Sequence, residues 1–71
     1  MTDFNLLEEI MRRSGATVEA VTKAANISRE TYYNRKKGIG EFTASEIVGI
    51  TNCLRLTTVE RDAIFLTKNV N

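Results

Sequence analysis

Four residues, Ala25-Asn26-Ile27-Ser28, constrain this chain more than any others. Before them, Val18, Val21 and Ala25 recur at helical spacing. After them, Ser28 is a good cap for a second helical stretch that runs to about Lys37. Asn tolerates the left-handed backbone best after Gly, so one helix can stop at Asn26 and the next can begin almost at once. A connection this short makes the two helices cross steeply. Small Ala24 and Ala25 let them approach closely, Ile27 plugs the space between them, and Tyr32 packs back beneath the first helix of the pair. The outward positions of the second helix are then Ser28, Arg29, Glu30, Tyr33, Asn34 and Lys37.

The rest of the chain is helical by the same criteria. A first helix is expected over about residues 3–14, capped by Thr2 or Asp3, with Phe4, Leu7, Ile10 and Met11 on one stripe and Gly15 at its end. Thr17 caps the second. Gly38 closes the third and opens a short Gly38-Ile-Gly40 loop. Thr43-Ala-Ser-Glu46 and Thr57-Thr-Val-Glu60 are capping boxes that start helices four and five. Ile47, Ile50, Thr51 and Leu54 face inward from helix four, with Phe42 placed to staple against Ile47. Val59, Ala63, Ile64 and Leu66 are the apolar positions of helix five. The chain has no Pro, which favours helices over a β-rich fold. The expectation is an all-α fold of five short helices in a single domain over residues 1–71.

Seventy-one residues support one modest core, so a second copy or a partner would be a natural supplement to stability. Residues 1–15 hold two Glu and two Arg, which does not read as a signal peptide, and no apolar run spans a membrane. A cytoplasmic location, in a bacterial host cell, is expected. Cys53 is the only cysteine, so no internal disulfide forms. It is expected to pack as a small apolar side chain among Ile47, Ile50 and Leu54. With no His and one Cys, neither a zinc site nor an activated thiolate is expected, and Ser14, Ser28 and Ser45 have no base beside them. The reading is therefore not an enzyme, with no cofactor, no metal and no small-molecule substrate.

The net charge of +1 hides an asymmetry. Residues 23–37 carry Lys23, Arg29, Arg35, Lys36 and Lys37 against Glu30 alone, a net of +4, while the remainder is at −3. Such a stripe focuses positive potential toward a polyanion. On the outward face of the third helix, Arg can donate two bonds to guanine, Asn can pair with adenine, and Glu can accept from cytosine. The expected base-reading residues are Ser28, Arg29, Glu30, Tyr33 and Asn34. Thr17, at a helix start whose amides suit a phosphate oxygen, and Lys23, Lys36 and Lys37 are the expected phosphate contacts.

The segment Thr17-Val-Glu-Ala-Val-Thr-Lys-Ala-Ala-Asn-Ile-Ser-Arg-Glu-Thr-Tyr-Tyr-Asn-Arg-Lys-Lys-Gly38 resembles the helix-turn-helix of Cro and cI-type phage repressors. Glu41-Phe-Thr-Ala-Ser-Glu-Ile47, Leu54-Arg-Leu-Thr-Thr-Val-Glu60 and Ile64-Phe-Leu66 are similar to segments of small regulators from phages of Gram-positive bacteria. The resemblance covers residues 3–66. It implies a lambda-repressor-like DNA-binding domain, with the helix-turn-helix at about 17–38, acting on a double-stranded operator in a lysis/lysogeny switch. Three departures have consequences. Asn26 stands where the family usually has Gly. Thr22 replaces a small Ala, so its hydroxyl needs a local backbone acceptor. Arg35 and Lys36 occupy the last turn of helix three, where the family has an apolar residue, so either one stem snorkels or Tyr33 turns inward.

Two functional classes follow. In one, the protein binds operator DNA as a regulator, most naturally as a homodimer on a palindrome. In the other, it is an antirepressor that grips and inactivates a cognate repressor. Val59, Ala63, Phe65 and Leu66 of helix five are more apolar surface than one short amphipathic face needs, and they are the expected oligomer or partner interface.

Overall fold

Each helix starts on a side chain that accepts a backbone N–H three residues on, and this sets the element boundaries. The computed structural model describes residues 1–66 and contains α1 (Phe4–Ser14), α2 (Val18–Ala25), α3 (Arg29–Lys36), α4 (Ala44–Leu54) and α5 (Thr58–Phe65). There is no strand among the described residues. Asp3, Thr17, Ser28, Thr43 and Thr57 are the caps, and both capping boxes close, with Glu46 and Glu60 returning to the cap amides. A cap of this kind is worth roughly 1 kcal/mol, which matters for helices of two or three turns.

Four helices stop by one device. Gly15, Asn26, Gly38 and Arg55 have φ of 75°, 60°, 93° and 54°. The amide of the following residue then returns to the carbonyl five positions back: Ala16 to Met11, Ile27 to Thr22, Ile39 to Asn34 and Leu56 to Thr51, at 2.8–3.0 Å. This is the Schellman arrangement, and it satisfies carbonyls that the helix end leaves without partners. Arg55 has no sequence signature for the left-handed conformation. The reversal there carries Leu56 into the core, where it is buried, and that burial offsets the steric cost of the left-handed backbone.

The core comprises Leu7, Ile10 and Met11 of α1, Val21 and Ala25 of α2, Tyr32 of α3, Phe42, Ile50 and Leu54 of α4 and the turn before it, Leu56, and Ile64 and Phe65 of α5. The most extensive interhelical contact joins α2 to α4. Gly49 makes it possible: a Cβ at position 49 would lie 2.1 Å from the Ala24 carbonyl oxygen and 2.9 Å from its carbon. Ala24 and Ala25, expected to let α2 and α3 approach, also receive α4 at Gly49.

All five aromatic rings form one train. Tyr33 meets Tyr32 at 5.2 Å, Tyr32 meets Phe4 at 5.5 Å, Phe4 meets Phe42 at 5.9 Å, and Phe42 meets Phe65 at 5.6 Å, mostly edge to face. Tyr32 is fully buried, as its spacing predicts. It shares the core cluster with Val21 and Ala25 of α2, and it is also anchored on α1, where its ring packs on Phe4 and its hydroxyl donates to Glu8.

Two further expectations are corrected. Phe65, assigned to an interface, is only 7% exposed and packs edge to face on Phe42. The amide of Asp3 donates to the Ile64 carbonyl at 2.7 Å, which ties the entry of α1 to the last turn of α5, and both Ile64 and Phe65 are buried. The inward positions of α5 are therefore Ile64 and Phe65, while Val59 and Leu66 are 77% and 60% exposed. Cys53 is exposed rather than packed among Ile47, Ile50 and Leu54. Those residues define the inward stripe of α4, and position 53 falls on its flank, with Sγ 3.9 Å from the Ala20 carbonyl oxygen.

Candidate functional site

α3 is held from below by polar bonds as well as by the buried Tyr32. The Tyr32 hydroxyl donates to Glu8 Oε2 at 2.9 Å, and Lys36 Nζ lies 3.1 Å from Oε1 and 3.0 Å from Oε2 of the same carboxylate. Burial, the bond to Glu8 and the negative charge of Glu8 all raise the Tyr32 phenol far above its ordinary pKa. It is thus a fixed hydrogen-bond donor across the working pH range.

The far end of α3 is bolted to α4. Arg35 Nη1 donates to Glu46 Oε1 at 2.8 Å, and both side chains are mostly buried. The same oxygen accepts the Thr43 amide that closes the capping box. The Arg35 guanidinium also lies over the Phe42 ring, 5.3 Å from its centroid. Burial alone would raise the pKa of Glu46, but the Arg35 hydrogen bond, the Thr43 amide and the Arg35 charge outweigh it and hold the carboxyl below its usual range. The cationic last turn is resolved by the stem of Arg35, which supplies the cover an apolar residue would give. Tyr33 therefore does not have to turn inward.

With Tyr32 and Arg35 committed to the inside, the outer face carries the remaining expected residues. Arg29, Glu30 and Tyr33 are exposed and Asn34 is half-buried. The Arg29 guanidinium stacks 5.8 Å from the Tyr33 ring centroid, and that ring leans edge-on against Tyr32, so both side chains are partly ordered before anything binds. The Ser28 hydroxyl is already engaged: it accepts the Thr31 amide and donates to the Thr31 hydroxyl. Thr17 is exposed at the start of α2, and its Oγ1 accepts the Ala20 amide. Lys23, Lys36 and Lys37 are exposed.

The local charge count is redistributed by the fold. Arg35 and Lys36 are paired with Glu46 and Glu8, which come from other helices. Lys23, Arg29 and Lys37 have no ion-pair partner among the described residues, and they face only Glu30 within the basic segment. Glu8, Glu46 and Gly49 were not singled out for these roles by sequence reasoning. The capping box marked Glu46, but nothing local marked its second partner.

Thr22 finds the local acceptor its position demands: its Oγ1 donates to the Glu19 carbonyl at 3.0 Å. On and just after α5, Val59 and Leu66 of the expected interface are exposed, as is Ala63. No described helix is long and apolar enough to cross a membrane, and no group of three or more His, Cys, Asp or Glu among the described residues could hold a metal ion. Compared with protein-family models, with curated proteins and with solved structures, the chain matches none.

Proposed function

We propose that the protein is a sequence-specific regulator that binds double-stranded DNA through a lambda-repressor-like helix-turn-helix, with α2 and α3 as the two helices and α3 in the major groove. One observation carries this reading. α3 is fastened underneath by Tyr32, Arg35 and Lys36, while its exposed face presents Arg29, Glu30 and Tyr33, with half-buried Asn34 beside them. These side chains have the donor and acceptor patterns that read base edges. Thr17, Lys23 and Lys37 supply phosphate contacts that set register without reading sequence. A single reading helix covers few base pairs, so two copies on adjacent half-sites complete the recognition unit.

The test is selection of a preferred duplex from a random pool, followed by titration of variants on that duplex and on random DNA. Arg29→Ala is expected to cost about 1–3 kcal/mol on the selected site and much less on random DNA. Lys37→Ala is expected to weaken both and to reduce the salt slope by about 0.9. Failure of the pool to enrich any sequence, or equal losses for Arg29→Ala on both duplexes, would sink this reading. A second reading, an antirepressor that occupies a cognate repressor, rests on a different observation. Val59 and Leu66 are large apolar side chains left in solvent on and just beyond α5. Sedimentation alone and with that repressor separates the two: a heterocomplex lost on Leu66→Ser would favour the antirepressor.

A further inference from the structure

By helical spacing Lys36 belongs to the outer row of α3, seven residues after Arg29 and three after Tyr33. A lysine in that row would ordinarily extend the cationic edge of the reading face. Its ammonium is instead turned toward α1, where it sits within 3.1 Å of both oxygens of Glu8. Glu8 is itself held in place, because the buried Tyr32 donates to Oε2. The carboxylate therefore has one fixed donor and one captured cation, contributed from 24 and 28 residues away.

We propose that Glu8 sets the sequence-independent part of DNA affinity: it withholds the Lys36 ammonium from phosphate and so lowers the number of phosphates the protein neutralises on any duplex. This rests on the DNA-binding reading above. Non-specific affinity scales with the number of phosphates neutralised, whereas base contacts on Arg29 and Asn34 are unaffected by one cation more or less. A partly exposed ion pair between α3 and α1 thus removes one sequence-independent contact while the base-reading side chains stay as they are. Lys37, one position on, has no such partner among the described residues and remains the phosphate ligand of this turn.

The experiment measures the salt dependence of binding to a random duplex for wild type, Glu8→Gln, Lys36→Gln and the double variant, with helicity checked by circular dichroism. Gln at position 8 keeps an acceptor for Tyr32 but releases the lysine. Glu8→Gln is expected to tighten random binding and steepen the slope by about 0.9, one additional phosphate. Lys36→Gln in the wild-type background is expected to leave the slope unchanged, and the double variant to return to it. A purely structural role for Glu8 would weaken binding without steepening the slope. The proposal fails if Lys36→Gln flattens the wild-type slope, which reads out even if Glu8→Gln does not fold. It also fails if the steeper slope persists in the double variant. Absence of duplex binding by every variant would overturn the DNA reading itself, whereas wild-type binding with an unchanged Glu8→Gln slope would overturn this proposal alone.

Discussion

The missing methyl group at position 49 sets how near α2 and α4 can come. Helix propensity argues for Ala there, since Gly in a helix interior costs about 1 kcal/mol relative to Ala. Packing argues the other way, because an added Cβ would stand 2.1 Å from a backbone oxygen of α2, and backbone cannot swing aside as a side chain can. Overpacking of this kind costs on the order of 3 kcal/mol, so packing wins. Gly49→Ala is expected to lower the midpoint of urea unfolding with the slope unchanged; a raised midpoint would show that the helices can part cheaply. Position 49 also shows where sequence reading stops. A Gly inside a helical pattern is locally only a weak residue, and its reason lies in Ala24, which is far away in sequence. Asn26 and Thr22 were legible because their requirements are met within a few residues, by their own backbone turn and by Glu19.

At the scale of the helices, starts and stops were readable wherever the chemistry is local: Asp3, Thr17, Ser28, Thr43 and Thr57 cap as expected, and Gly15, Asn26 and Gly38 terminate. Arg55 was not readable, since its left-handed backbone is imposed by the burial of Leu56. Periodicity placed α5 but not the burial of Phe65, whose partner, Phe42, comes from more than twenty residues away. The strap between α3 and α4 makes a pH-dependent contribution. Glu46 is held below the usual carboxylate range in the folded state, so its contribution is fully present above its unfolded pKa and is lost as pH falls through the folded one. Glu46→Gln is therefore expected to be less stable than wild type at neutral pH. The gap should close as the solution is acidified below roughly pH 4, the ordinary carboxylate pKa. Thermal melts of both proteins across that range check this, and a gap that widens in acid would contradict it.

For the molecule as a whole, charge counted along the chain differs from charge presented in space. Five cations in residues 23–37 look like one block. Folding pairs Arg35 with α4 and Lys36 with α1, and the cations of this segment left without an ion-pair partner among the described residues are Lys23 of α2, Arg29 of α3 and Lys37 just after it. The exposed face of α3 thus carries less unpaired positive charge than the sequence implies, and it is backed by the aromatic train that runs from Tyr33 through the core to Phe65. The seam at Gly49 bears on the order in which the fold comes apart. Where backbone rests on backbone, solvent has no partial route in, so protons on the amides along that contact should be released only when the entire chain opens. Deuterium uptake should therefore be slowest at Val21, Ala25 and Ile50, at a rate that reports the global unfolding free energy. The outer turns of α5 should trade their protons earlier, leaving α2 and α4 as the last pair to let go.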